Sequence, residues 1–234
     1  MNREVEVIDL GLGAYQEVWD IQEKYFQEVL ALKKHKKDEP VDTPNRLIFV
    51  EHPHVFTLGK SGDEHNLLVN YIQLQAKHAE FVKTNRGGDI TYHGPGQIVG
   101  YPILDLENFN LGLRGYIELI EEAVIKTIAE YGIVGNRDSK ATGVWLDTDI
   151  PLKMRKICAI GVRASRFVSM HGFALNVNTD LNYFNLINPC GFQDRGVTSL
   201  QKELGYEVDI TEVKQKLEKH IKSLLLALAS CVED

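Results

Sequence analysis

Cysteine is scarce in this chain: 234 residues hold three, Cys158, Cys190 and Cys231. An odd, sparse count supplies no disulfide framework and fits a reducing compartment. It leaves room for one thiol that does chemistry. Long apolar runs are also missing. A run such as Leu224–Ala229 falls far short of the ~20 residues that span a bilayer. Positive charge is not in excess: 26 Lys and Arg face 33 Asp and Glu, a formal net charge of -7. Nonspecific nucleic-acid binding therefore has no global electrostatic support. There is no Cys-x-x-Cys, no internal repeat and no low-complexity linker, and no Gly-Lys-Ser/Thr follows the glycine-rich stretch at Arg86–Gln97 as a phosphate loop would require. What remains is an average globular composition, 44% hydrophobic and 25% charged. That excludes a disordered tail, a collagen-like chain and a disulfide mini-protein.

The first residues alternate apolar and charged over Glu4–Ile8, as a half-buried strand does, with acidic side chains at once. A signal or transit peptide reads differently, so a cytoplasmic, unprocessed protein is expected. Tyr15, Val18, Trp19, Tyr25, Phe26, Val29 and Leu30 recur at helical spacing, predicting an amphipathic helix from Ala14 to about Leu32. It runs into Lys33-Lys34-His35-Lys36-Lys37, the densest basic run. Strands are expected at Leu47–Val50, Val55–Leu58, Glu80–Thr84, Ile90–Tyr92, Ile98–Leu106, Gly143–Leu146, Ile157–Arg163 and Phe173–Val177. A short helix is expected over Asn70–Ala79 and a longer one from Leu113 to about Tyr131. The last helix starts near Asp209, with Glu212 three residues on as a capping box. Strands and helices do not alternate strictly. The expectation is therefore an α+β fold with a mixed sheet flanked by helices, in one domain with a possible small lobe from about residue 185.

Three segments carry chemistry. Arg86-Gly87-Gly88-Asp89-Ile90-Thr91-Tyr92-His93-Gly94-Pro95-Gly96-Gln97 packs polar and titratable groups between glycines, which let backbone approach a ligand. Around Lys156 a small-residue strand follows, with Ala159, Ile160 and Gly161. In Asn188-Pro189-Cys190-Gly191 the thiol lies in a turn, where backbone amides can stabilise a thiolate or an oxyanion. Cys158 lies in an apolar strand and reads as inert core, and Cys231 has no evident role. His52, His54 and His65 invite a metal reading, but Glu51-His52-Pro53-His54 lacks a metalloprotease helix motif and Pro53 forbids a continuous helix, so strand-end histidines around a cleft are favoured over a zinc site.

In order along the chain, Glu51–Gly59, Arg86–Gln97, Thr142-Gly143-Val144-Trp145, Lys156–Gly161, His171-Gly172-Phe173-Ala174-Leu175-Asn176 and Pro189-Cys190-Gly191 resemble the lipoyl(octanoyl) transferases. The resemblance covers about Val5 to Leu200. It implies the fold of the biotin/lipoate protein ligase catalytic domain. It also implies a reaction: octanoyl passes from acyl carrier protein to Cys190 as a thioester, then to the ε-amine of a lysine on a lipoyl domain. Such acceptors are the E2 subunits of 2-oxoacid dehydrogenases and the glycine-cleavage H protein. Lys156 is implied as the proton-transfer partner of Cys190. The acyl site is implied at Arg86, Gly87, Gly88, Asp89, Ile90, Thr91, Tyr92 and His93, with Ala159, Ile160, Gly161, Gly172, Phe173 and Ala174. No metal, nucleotide or other cofactor is implied, because a thioester is already activated, and neither nucleic acid nor membrane is an expected partner. The rival of the same fold is an ATP-dependent lipoate or biotin ligase, which needs no cysteine nucleophile. More distant readings are a cysteine hydrolase using His93 or His171 as base, and a catalytically silent carrier-binding module. With an acidic donor expected, Lys33–Lys37 is the candidate docking patch.

Overall fold

The computed structural model describes residues 2–35, 42–188 and 195–230; Cys190 and Cys231 lie outside them. In chain order the elements are β1 (Val5–Leu12), α1 (Tyr15–His35), β2 (Asn45–Glu51), β3 (Val55–Leu58), α2 (Tyr71–Ala76), β4 (Glu80–Lys83), β5 (Ile90–His93), β6 (Gln97–Ile103), α3 (Leu113–Ala129), β7 (Asn136–Asp138), β8 (Ala141–Leu146), β9 (Arg155–Ser165), β10 (Val168–Asn176), β11 (Gly196–Val197), α4 (Leu200–Leu204) and α5 (Ile210–Ser230).

The large sheet runs β1-β2-β6-β10-β9-β8-β7, with β11 added beside β9. β1 pairs β2 in parallel and most other neighbours are antiparallel, so the sheet is mixed as expected. β2 shows why its sequence is a solid apolar run. Leu47 and Phe49 enter the core under α3 and α5, while Ile48 and Val50 enter the core under α1. Successive strand residues face opposite sides, and here both sides are covered. A second, three-stranded sheet, β4-β3-β5, closes its own small core around Phe56, Leu58, Ile90 and Tyr92.

Several boundaries differ from expectation for local reasons. β6 ends at Ile103, because Asp105 caps a 3₁₀ turn over Leu106–Phe109. β10 begins at Val168 rather than Phe173, as its polar positions are satisfied inside: the Ser169 hydroxyl donates to Pro102 O at 2.8 Å. β9 and β10 form a hairpin whose two-residue turn, Arg166-Phe167, has φ of 49° and 62°. That handedness matches strand twist but carries none of the usual glycine or asparagine. At α5, Asp209 accepts from Thr211 N at 2.8 Å, and the Glu212 carboxylate turns instead to Tyr131 and Lys216. After residue 195 the chain rejoins the large sheet through β11, and α5 packs into the same core as α3. Lys33, expected in an outer basic patch, turns inward: its ammonium pairs with buried Asp105 and with Glu107 at 2.9 Å. Among the described residues no helix is long and apolar enough to cross a membrane.

Candidate active site

Lys156 sits on β9 where three strands meet. It is in register with Trp145 of β8 on one side and Val197 of β11 on the other. Its ammonium donates to Thr142 O at 3.2 Å and lies 4.5 Å from the centroid of the Trp145 ring. Arg195 approaches the same ring at 5.2 Å and pairs with Asp138 at 2.6 Å. A tryptophan face attracts cations through its quadrupole. Cys158, two residues further along β9, is fully buried, and burial pushes its thiol well above the ordinary range. It is core, as its sequence setting suggested.

The Cys190 expectation falls outside the described residues, but both flanks of that segment are described. On one side the Asn188 amide donates to Asn66 O at 2.8 Å, and the Asn66 amide donates to Asp89 Oδ2 at 2.7 Å. On the other, Gly196 and Val197 pair with Arg155 and Lys156. The described flanks are thus placed beside the glycine-rich stretch, at Asn188, and beside the lysine, at Val197.

The glycine-rich stretch forms a loop at 86–89 followed by β5. Arg86 is buried, its Nη2 donating to Thr57 O at 2.6 Å and Thr57 Oγ1 at 2.9 Å, and its Nη1 to Gly87 O at 3.0 Å. The Gly87 amide donates to Val162 O at 2.9 Å, so the loop lies across β9. In that sheet Ala159, Ile160 and Gly161 are in register with Ala174, Phe173 and Gly172. All three segments of the expected acyl site therefore come together. Their side chains divide, however. Ala174 faces the α1 side, whereas Phe173 points its ring over Gly100 into the α3/α5 core. Ile90 and Tyr92 belong to the core of the small sheet. Gly88 (φ 85°) is exposed and Thr91 is half-buried opposite Thr57.

The histidines here are interior groups. His93 donates from Nδ1 to Gln97 Oε1 at 2.8 Å and stacks on Tyr15. His52 binds Gly13 O at 2.7 Å and Tyr101 Oη at 2.8 Å. His171 binds Asn85 Oδ1 at 2.6 Å. Burial lowers His52 to about 4, and His93 and His171 to about 3. All three are neutral near pH 7. His171 owes its direction to a φ of 58°, rare for a non-glycine residue. His54 is stacked against Tyr183 at 4.2 Å and bonded to Tyr92 Oη at 2.7 Å. Among the described residues no three His, Cys, Asp or Glu gather as metal ligands. Sequence reasoning missed Tyr15, Thr57 and Tyr101 as parts of this polar interior. An apolar spacing pattern does not distinguish a buried hydroxyl from a buried ring.

Residues 14–222 match the model of the lipoyl protein ligase A/B catalytic domain family. The chain is 57% identical to an octanoyltransferase of Christiangramia forsetii, over 97% of this chain and 98% of that one. It is 58% identical to an octanoyltransferase of Flavobacterium johnsoniae, over 97% and 99%. In structure it is similar to a bipartite lipoate protein ligase of Thermoplasma acidophilum, with TM-score 0.66, 14% identity, and 95% and 85% of the two chains covered. That likeness concerns the fold alone.

Proposed function

Since the chain belongs to the lipoyl protein ligase A/B catalytic domain family, we propose that it is an octanoyltransferase that moves an octanoyl group to a lysine of a lipoyl domain. The donor in this reading is octanoyl-acyl carrier protein, and acceptors include lipoyl domains of 2-oxoacid dehydrogenase E2 subunits and the glycine-cleavage H protein. The observation that carries the reading is the register of Val197 with Lys156. It makes the strand that follows Cys190 in sequence the neighbour of the half-buried lysine.

The chemistry asks for such a pair. A thiol with a pKa near ~8.5 is mostly protonated at neutral pH, and the thiolate is the nucleophile. Lys156, as the neutral amine, accepts the Cys190 proton as the sulfur attacks the thioester carbonyl. The carbon–sulfur bond to pantetheine breaks, and Lys156 returns the proton to the departing thiol. In the second half the acceptor amine attacks the acyl-Cys190 carbonyl and gives up a proton to Lys156. The amide forms and the thiolate leaves to regain its proton. One thioester is exchanged for another and then for an amide, with no oxidant or nucleotide in the balance. Each CH₂ of the octanoyl chain that the site buries contributes ~0.8 kcal/mol. Lipoate protein ligases, one of them bound with ATP, share the fold at 14–15% identity, whereas the octanoyltransferases share over half of the residues along nearly the whole chain.

Incubation with octanoyl-acyl carrier protein tests this directly. A hydroxylamine-labile octanoyl adduct is expected on Cys190, with transfer to a lipoyl domain without ATP. An adduct on Cys158, or transfer that requires ATP and survives Cys190→Ser, overturns it.

A further inference from the structure

Glu121 belongs to α3, next to Glu122, in a sequence context that reads as solvent-facing helix. Its side chain is nevertheless only 8% exposed. One carboxylate oxygen accepts from Arg137 Nε at 3.1 Å. The other accepts from the Gly143 amide at 3.0 Å. That amide is the N–H of the Thr142–Gly143 peptide, whose carbonyl, Thr142 O, receives the Lys156 ammonium. The described peptides include no cis bond, so in this plane N–H and C=O point in opposite directions. A buried carboxylate and a lysine thus hold the two ends of one peptide group. Gly143 permits it: its φ is 125°, and a Cβ there would lie 2.5 Å from Cys158 O and 3.4 Å from Lys156 Cε. The Thr142–Trp145 segment also supplies the ring against which the ammonium rests, fixed by Trp145 Nε1 donating to Ala141 O at 2.8 Å.

We propose that Glu121 is a positioning residue for Lys156: its carboxylate sets the Thr142–Gly143 peptide plane, and that plane aims the lysine ammonium. The proposal rests on the proton-transfer reading of Lys156. A carboxylate accepting from an amide polarises it, which strengthens the carbonyl at the far end as an acceptor. Without Glu121 the Gly143 N–H is buried without its acceptor and the plane is released. The alkyl stem of Lys156 then gains freedom over the Trp145 face. Among the described residues near Lys156, Arg195 pairs with Asp138, and Arg155 with Asp147 and Glu203.

The test compares Glu121→Ala, Glu121→Gln, Arg137→Met and Lys156→Ala in the intact protein. Glu121→Ala is expected to slow self-acylation by octanoyl-acyl carrier protein about tenfold, the scale of a lost charge-assisted hydrogen bond, with KM unchanged. Glu121→Gln keeps an acceptor for Gly143 and is expected to recover most of that rate. Arg137→Met removes the other partner of Glu121 and lowers the melting temperature, yet is expected to acylate normally. The side-chain resonance of Lys156, followed by NMR against pH, is expected to titrate lower in Glu121→Ala, and to a smaller extent in Glu121→Gln. An unchanged Lys156 titration in both Glu121 variants overturns the proposal, as does a kcat loss in Arg137→Met equal to that in Glu121→Ala. If Glu121→Ala does not fold, Glu121→Gln decides by its titration. Normal self-acylation by Lys156→Ala instead overturns the catalytic reading, which keeps the two failures apart.

Discussion

Gly161 of β9 and Gly87 of the glycine-rich loop meet backbone to backbone: a Cβ placed on Gly161 would lie 2.9 Å from Gly87 O. It would also lie 3.2 Å from Arg86 Cδ and Nη1. No side chain fits there unless the loop lifts from the sheet. The distance between the loop of the small sheet and the floor of the large one is therefore set by the lack of an atom.

Gly161→Ala should accordingly displace the 86–88 loop. Overpacking of this kind costs about 1–3 kcal/mol. We expect a lower melting temperature and a larger loss of octanoyl transfer than of Cys190 alkylation by a small reagent. Wild-type transfer in this variant would show that the close approach has no bearing on the site.

Arg86→Lys removes a fork that bridges Thr57 and Gly87. A lysine offers one point charge where three acceptors are arrayed. The expected result is a stability loss of about 2 kcal/mol in urea unfolding and a raised KM for octanoyl-acyl carrier protein. Unaltered values of both would remove Arg86 from the loop's architecture.

Acid should unfold the protein through its histidines. His52, His93 and His171 are held neutral in the fold, with values lowered to about 4, 3 and 3. In the unfolded chain each titrates near ~6.5. Below that pH the unfolded state binds more protons, so stability falls as pH falls. Their contribution is complete above pH ~6.5 and is lost progressively towards the folded values, by up to about 1.4 kcal/mol per histidine per pH unit. Urea midpoints measured from pH 7.5 down to 4.5 should drop, and His52→Gln should make the decline shallower. A midpoint that does not change over this range would contradict neutral burial.

Lys33→Ala should act on the fold and not on the carrier. The variant leaves Asp105, whose side chain is fully buried, without its cation. Breaking a buried pair costs about 3–5 kcal/mol. Urea unfolding should register that loss, whereas KM for the carrier protein should stay within twofold. A raised KM with unchanged stability would restore Lys33 to an outer docking patch.

Much of the fold was legible in local pattern. Leu47–Val50 and Val55–Leu58 read as strands and lie within strands. The helices at Tyr15, Leu113 and Ile210 follow from their apolar spacing. The Arg166-Phe167 turn was not legible, because its positive φ values are imposed by the strands it joins. Nor was the inward course of Lys33. A lysine near a helix end is usually solvated, and its partner Asp105 is remote in sequence.

The candidate site divides in the same way. The amino-acid sequence by itself determined which residues could do the chemistry, since a thiol between proline and glycine, a lysine at the head of a small-residue strand and a glycine-rich stretch are local chemical facts. It also determined the mixed α+β class, because period-two and helical patterns record which side of an element is buried. Only the tertiary structure decided that Gly87 lies against Gly161, that Phe173 turns away from Ala174, and that Glu121 and Lys156 hold opposite ends of one peptide. A single chain's periodicity specifies that a face is covered, never by what. The covering partner is selected by long-range packing, where one missing Cβ or one buried carboxylate sets a distance that no local pattern encodes.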